Sequence, residues 1–179
     1  MKPKEVIQDL LDAGHSTVLR DEIVDYVGKS APRMKALMYF FFHDEWIYNQ
    51  RASWAVMHVT IKQPQLTEPY YERLIENLNE PKHDAVVRNT LRIFQDNAIP
   101  ESIEGELMDK CFDYLIDTKA ANAVRVFSIT VLLKIVQKYP ELAFELRETL
   151  EDQLTYEVSA AFKSRGQKTL KVLKSLALD

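Results

Sequence analysis

The sequence predicts an all-α protein built from repeated helix pairs, and three observations carry that prediction. The chain of 179 residues holds only 4 Gly and 7 Pro, too few turn residues for a β-rich chain of this length. An amphipathic helical pattern recurs 37 residues apart, in PRMKALMYFF from Pro32, PYYERLIENL from Pro69 and ELMDKCFDYL from Glu106. An arginine recurs at the same interval, at Arg51, Arg88 and Arg125, with Arg165 following.

At the N-terminus, KEVIQDLLD and VLRDEIVDYVG read as two short helices split at Gly14. Residues 1–30 are expected to cap one end of the repeats, as terminal units of such arrays do. Four helix pairs follow, at 32–64, 68–98, 103–139 and 141–177. In the first helix of each pair, apolar residues stand at i, i+3, i+4 and i+7, a core-facing stripe. Met34, Tyr71 and Met108 occupy one position of it; Leu37, Leu74 and Cys111 the next; then Met38, Ile75 and Phe112; then Phe41, Leu78 and Leu115. Leu146, Leu150 and Leu154 continue it in the fourth pair. Pro64, Pro100 and Pro140 lie just past second helices, which a proline cannot extend. The whole of 1–179 is expected to form one helical-repeat domain.

The stripe, the arginine in each second helix and the prolines between pairs together resemble the HEAT and armadillo-like repeats over most of the chain. That resemblance implies a right-handed α-solenoid of about four helix pairs, with first helices on the convex side and second helices lining a groove.

Charge differs between the two kinds of helix. Residues 66–80 carry four Glu against Arg73, 101–117 carry six acids against Lys110, and 141–157 carry six against Arg147. Residues 119–138 and 160–178 hold Lys and Arg and no acid, whereas 82–96 come out at +1 and 44–62 is balanced. A chain with net charge −4 is thus expected to carry a groove that grows more basic toward the C-terminus, whose field attracts an acidic partner; the other reading is that acidic and basic helices neutralise each other across each pair. The expected groove residues are Trp46, Arg51, Arg88, Arg92, Arg125, Lys134, Arg165 and Lys168. A second reading makes the arginine row a ladder that pairs with carboxylates of adjacent units.

Catalytic chemistry finds little support. No Gly-rich phosphate loop can be built from Gly14, Gly28, Gly105 and Gly166, which stand alone. His43 and His58 are too far apart along one helix to share a metal, about 20 Å at 1.5 Å per residue. No metal and no cofactor are expected. His43–Asp44 recurs as His83–Asp84, where the aspartates read as N-caps. Cys111 and Trp54 take core positions. A lone cysteine, an N-terminal stretch with charges through its apolar residues, and apolar runs too short to span a bilayer fit a cytoplasmic setting.

The segment EWIYNQRASWAVM is also similar to the HEAT-like DNA glycosylases of alkylation repair, which carry Trp and Arg on their inner helices. That resemblance implies nucleic-acid binding or alkylpurine excision. Asp44 and Asp84 read as caps and Asp96 follows a helix pair, so no position is assigned the catalytic aspartate of those enzymes. The expected function is therefore a non-enzymatic scaffold that holds an acidic protein segment, with the nucleic-acid protein as the alternative.

Overall fold

The computed structural model describes residues 1–156 and 158–176. Glu157, one of the acids counted above, and residues 177–179, where the fourth expected pair ends, lie outside the described residues. The described residues form ten α-helices and no strand. They divide into two compact units, residues 1–97 and 98–179.

Unit 1 holds α1 (Pro3–Asp12), α2 (Thr17–Val27), α3 (Ala31–Phe41), α4 (Trp46–Lys62), α5 (Tyr71–Glu76) and α6 (Asp84–Asp96). The local sequence explains where they start and stop. Pro3 and Pro32 sit in first turns, where the missing N–H costs nothing. Ser16 Oγ accepts from the Leu19 amide and caps α2. Gly28 ends α2 with φ +51°, a conformation that side chains disfavour. In space, α1 packs on α3, while α4 packs on α3, α2 and α6. The second helices α2, α4 and α6 thus form one layer, and α1 and α3 lie behind it. The repeated stripe is the core: Met34, Leu37, Met38 and Phe41 of α3 and Tyr71, Leu74, Ile75 and Leu78 around α5 are all buried. Each such side chain contributes about 1.5–3 kcal/mol on burial.

The helix expected over 66–80 is mostly absent. Two 3-10 turns, Pro64–Leu66 and Glu68–Tyr70, precede a six-residue α5. Pro64 and Pro69 each remove an N–H and hold φ, so the chain winds tightly before a regular helix forms. Edge-on packing of Tyr71 against Phe94, ring centres 5.1 Å apart, ties this short helix to α6.

Unit 2 holds α7 (Glu101–Ile116), α8 (Asn122–Lys138), α9 (Ala143–Gln153) and α10 (Ala160–Leu176), with a 3-10 turn at Pro140–Leu142 before α9. Central α8 packs on α7, α9 and α10. Leu107, Cys111, Leu115, Leu132, Val136, Leu146, Leu150 and Phe162 form its core, whereas Met108, Phe112 and Leu154, expected in the stripe, are only half-buried. Cys111 is fully enclosed, and burial pushes its thiol far above the ordinary range, so it packs as an apolar residue.

Candidate functional site

On α4, Arg51, Trp54 and His58 stand at i, i+3 and i+7, which places them on one face. The small buried residues Ala52, Ser53, Ala55 and Val56 occupy the other side of the helix. This lets α6 approach closely enough for Asn89 Nδ2 to donate to Ser53 Oγ at 2.9 Å. Arg88 and Arg92, one turn apart, are exposed on α6. The α1–α2 turn and α2 complete the face with His15 and Arg20.

Trp54 is the centre of this arrangement. Its ring lies 4.9 Å from that of His15 and 6.2 Å from that of His58. The Arg20 guanidinium sits over the indole at 4.6 Å, a favourable placement of cation on ring. Trp54 is only half-buried, which corrects its expected place in the core: the residue one repeat later, Leu91, is buried, but the layer leaves one side of the indole open.

The electrostatics of the face are one-sided. Burial first, then Arg51, Arg88 and His83, hold the His15 imidazole below its ordinary value. His58 is lowered by burial first, then by Arg20, with Arg92 and Lys62 acting the same way. Of the charged groups acting on these two rings, Asp21 alone is acidic, and it is bound to Arg20 at 2.8 Å. Arg88 has no ion-pair partner among the described residues.

Trp46 opens α4 and is 53% exposed. It stacks on His83, ring centres 5.6 Å apart at 13°. His83 also accepts from the Ala85 amide through Nδ1 and so caps α6. His43 Nδ1 likewise accepts from the Glu45 amide. The capping position of α6 is therefore occupied by His83 and not by Asp84, while at α4 the N-cap is Glu45, which makes no side-chain cap, and neither His43 nor Asp44 fills that position. An imidazole Nδ1 two residues ahead of the amide reaches it without help from the aspartate.

The arginine row separates into different roles. Arg51 Nη1 donates to the carbonyl of Leu11, the penultimate residue of α1. Arg125 Nε and Nη2 donate to the carbonyl of Leu115, the penultimate residue of α7, at 3.2 and 3.1 Å. Its Nη2 also donates to Gln153 Oε1 at 2.8 Å, and the guanidinium lies over Phe162 at 4.4 Å. These arginines satisfy main-chain carbonyls at helix C-termini, where the free carbonyls carry partial negative charge, rather than carboxylates of neighbouring units. Arg125 is buried at 5% exposure and presents no donor to a ligand.

In unit 2, Lys134 of α8 and Arg165 of α10 are half-buried, and Lys168 of α10 is exposed together with Lys163, Lys171 and Lys174. Lys138 is paired with Glu104 of α7 at 2.8 Å.

His15, Arg20, Trp54 and His58 were not among the groove residues expected from sequence. Arg51–Trp54–His58 spacing on one helix was the available signal; His15 and Arg20 come from another element and are joined to them only by packing.

An all-α protein of repeated helix pairs is the class that this fold defines. The HEAT repeat domain family matches the chain over residues 7–173, and the chain belongs to that family. No curated protein and no solved structure was found to match it. Among the described residues, no helix is long and apolar enough to cross a membrane.

Proposed function

We propose that this HEAT-repeat chain is a non-catalytic binding scaffold that holds an acidic segment of another protein on the α2–α4–α6 face. One observation carries the reading. Arg20, Arg51, Arg88 and Arg92 gather around Trp54 on one side of unit 1, although the chain as a whole is acidic, with net charge −4. Stability does not call for such a gathering, because like charges repel and exposed ion pairs add only about 0–1 kcal/mol. An acidic segment supplies a counter-charge to the exposed Arg88, and arginine suits carboxylates through its paired N–H groups. HEAT repeats commonly serve as scaffolds, which agrees with this role and with a cytoplasmic setting. The basic row of α10, with Arg165 and Lys168, is a second surface of the same sign.

Both tryptophans, Trp46 and Trp54, lie on the proposed face, so intrinsic fluorescence reports on it directly. A glutamate-rich peptide titrated into the protein is expected to change that fluorescence. Its affinity should fall with salt as screening shortens to about 8 Å at physiological ionic strength. The exposed pair Arg88→Glu and Arg92→Glu should weaken binding at least roughly tenfold. Undiminished affinity in the double variant would remove the reading.

The exposed Trp46–His83 stack favours a second reading, in which bases stack on the aromatic platform and the arginines hold phosphates. An oligonucleotide that binds more tightly than the peptide, with affinity falling steeply as salt rises, would select it and the alkylpurine-glycosylase alternative with it.

A further inference from the structure

On α7, Glu101, Glu104, Gly105 and Met108 stand at i, i+3, i+4 and i+7 and so share one face. That face, the end of α8 and the Pro140–Leu142 turn border a hollow of about 270 Å³ that lies wholly within unit 2. Met108, Ile135 and Leu142 give it apolar walls. Every charged residue that lines it is an acid: Glu101, Glu104 and Glu141. Glu104 is already satisfied, since its carboxylate accepts from Lys138 Nζ at 2.8 Å and from Tyr139 Oη at 2.7 Å. Glu101 and Glu141 are exposed and have no ion-pair partner among the described residues. The rim thus holds two uncountered carboxylates beside an apolar wall.

Gly105 adds an observation of a different kind. It lies inside α7, where glycine weakens a helix relative to alanine. Nothing in the fold asks for it. Its φ is not positive, and a Cβ at this position would meet no atom within 4 Å. What the missing side chain does is keep the hollow open.

We propose that this hollow receives an arginine side chain from a basic segment of another protein. The methylene stem lies against Met108, Ile135 and Leu142, in the space left open at Gly105, and the guanidinium meets Glu101 and Glu141 at the rim. Charge selects the occupant. A purely apolar side chain would strip water from the two carboxylates without supplying a counter-charge, and an acidic one would be repelled. Long basic side chains bury their stems on apolar surface and hold the charge at its edge. Arginine suits the place better than lysine, because its planar fork of donors matches carboxylates and it is more weakly hydrated. The site belongs to unit 2 and does not depend on the reading of the unit 1 face.

The test is the binding of fluorescein-labelled peptides to the full chain, read by anisotropy. The peptides alternate serine with arginine, with lysine or with citrulline, which keeps the shape of arginine without its charge. The arginine peptide should bind, the lysine peptide several-fold more weakly, and the citrulline peptide at least roughly tenfold more weakly. Gly105→Leu fills the hollow and alters no charge, and a thermal unfolding curve should show it at least as stable as the parent. It should weaken the arginine peptide roughly tenfold. Glu101→Gln together with Glu141→Gln should weaken it similarly and make the remaining affinity less sensitive to salt. Parental affinity in a folded Gly105→Leu would overturn the hollow as the seat and leave only attraction to an acidic surface. Should that variant not fold, the double glutamine variant decides, and parental affinity there overturns the proposal. Equal affinity for lysine and arginine peptides overturns the choice of arginine, and no binding by the parent at low salt overturns the whole.

Discussion

Arg125 and Arg88 stand at the same position of successive repeats and do different work. Arg125 is enclosed in unit 2, where it holds the Leu115 carbonyl and Gln153. Arg88 is exposed on unit 1. Arg125→Met leaves a buried carbonyl and an amide oxygen without donors, and should lower stability by about 2–4 kcal/mol. Arg88→Met should change it by no more than about 0.5 kcal/mol. Denaturant unfolding of the two variants side by side checks this, and equal effects would contradict the division of roles. The interval of 37 residues was legible in the sequence, but the burial of each arginine was not, because it depends on what lies across the helix.

Glu104 is another residue whose environment sets its chemistry. Burial raises its carboxyl, but hydrogen bonds from Lys138 Nζ and Tyr139 Oη, at 2.8 and 2.7 Å, more than offset that and hold it below the ordinary carboxylate range. The same pairing pushes Lys138 upward. The sign follows from linkage. A carboxyl depressed in the folded state adds stability that is present above the unfolded value, about 4.3, and is lost as pH falls through the lower folded value. Glu104→Gln should therefore flatten the acid side of the stability profile below about pH 4.3. An acid limb as steep as the parent's would show that the pairing contributes nothing.

At the scale of elements, the helices and their stripe were readable from periodicity alone, since 3.6-residue spacing is local. Met34, Leu37, Met38 and Phe41 occupy the buried face that their spacing assigns. Periodicity overestimated the first helix of the second pair, because two prolines five residues apart override it. Capping was also only half-readable. The repeated His–Asp pair marks the helix starts, yet at α6 the imidazole of His83 makes the cap while its other nitrogen lies 3.3 Å from Gln50 Nε2. His83→Ala should cost about 0.5–2 kcal/mol, the range for loss of an N-cap, and should release Trp46 from its stack. A thermal unfolding curve and a change in tryptophan emission check both effects; a variant as stable as the parent would deny His83 the capping role.

At the scale of the whole molecule, composition set the class. Four glycines, one cysteine and 46% hydrophobic residues leave helices packed on a single kind of core face. Segregation of charge was visible in the sequence for unit 2, where α7 and α9 are acidic and α8 and α10 carry no acid, but not for unit 1, where α3 holds Arg33 and Lys35 and α2 holds Asp21, Glu22 and Asp25. What the sequence by itself determined was thus local: helix positions, the core stripe, the sign of charge on each helix and the repeat that makes this a HEAT protein. Tertiary structure alone decided which charges are free to meet a ligand. Arg51, Trp54 and His58 share one helix face by spacing, but His15, Arg20, Arg88 and Arg92 reach them from three other elements. Only packing brings those elements within the few ångströms over which charge and ring interactions act.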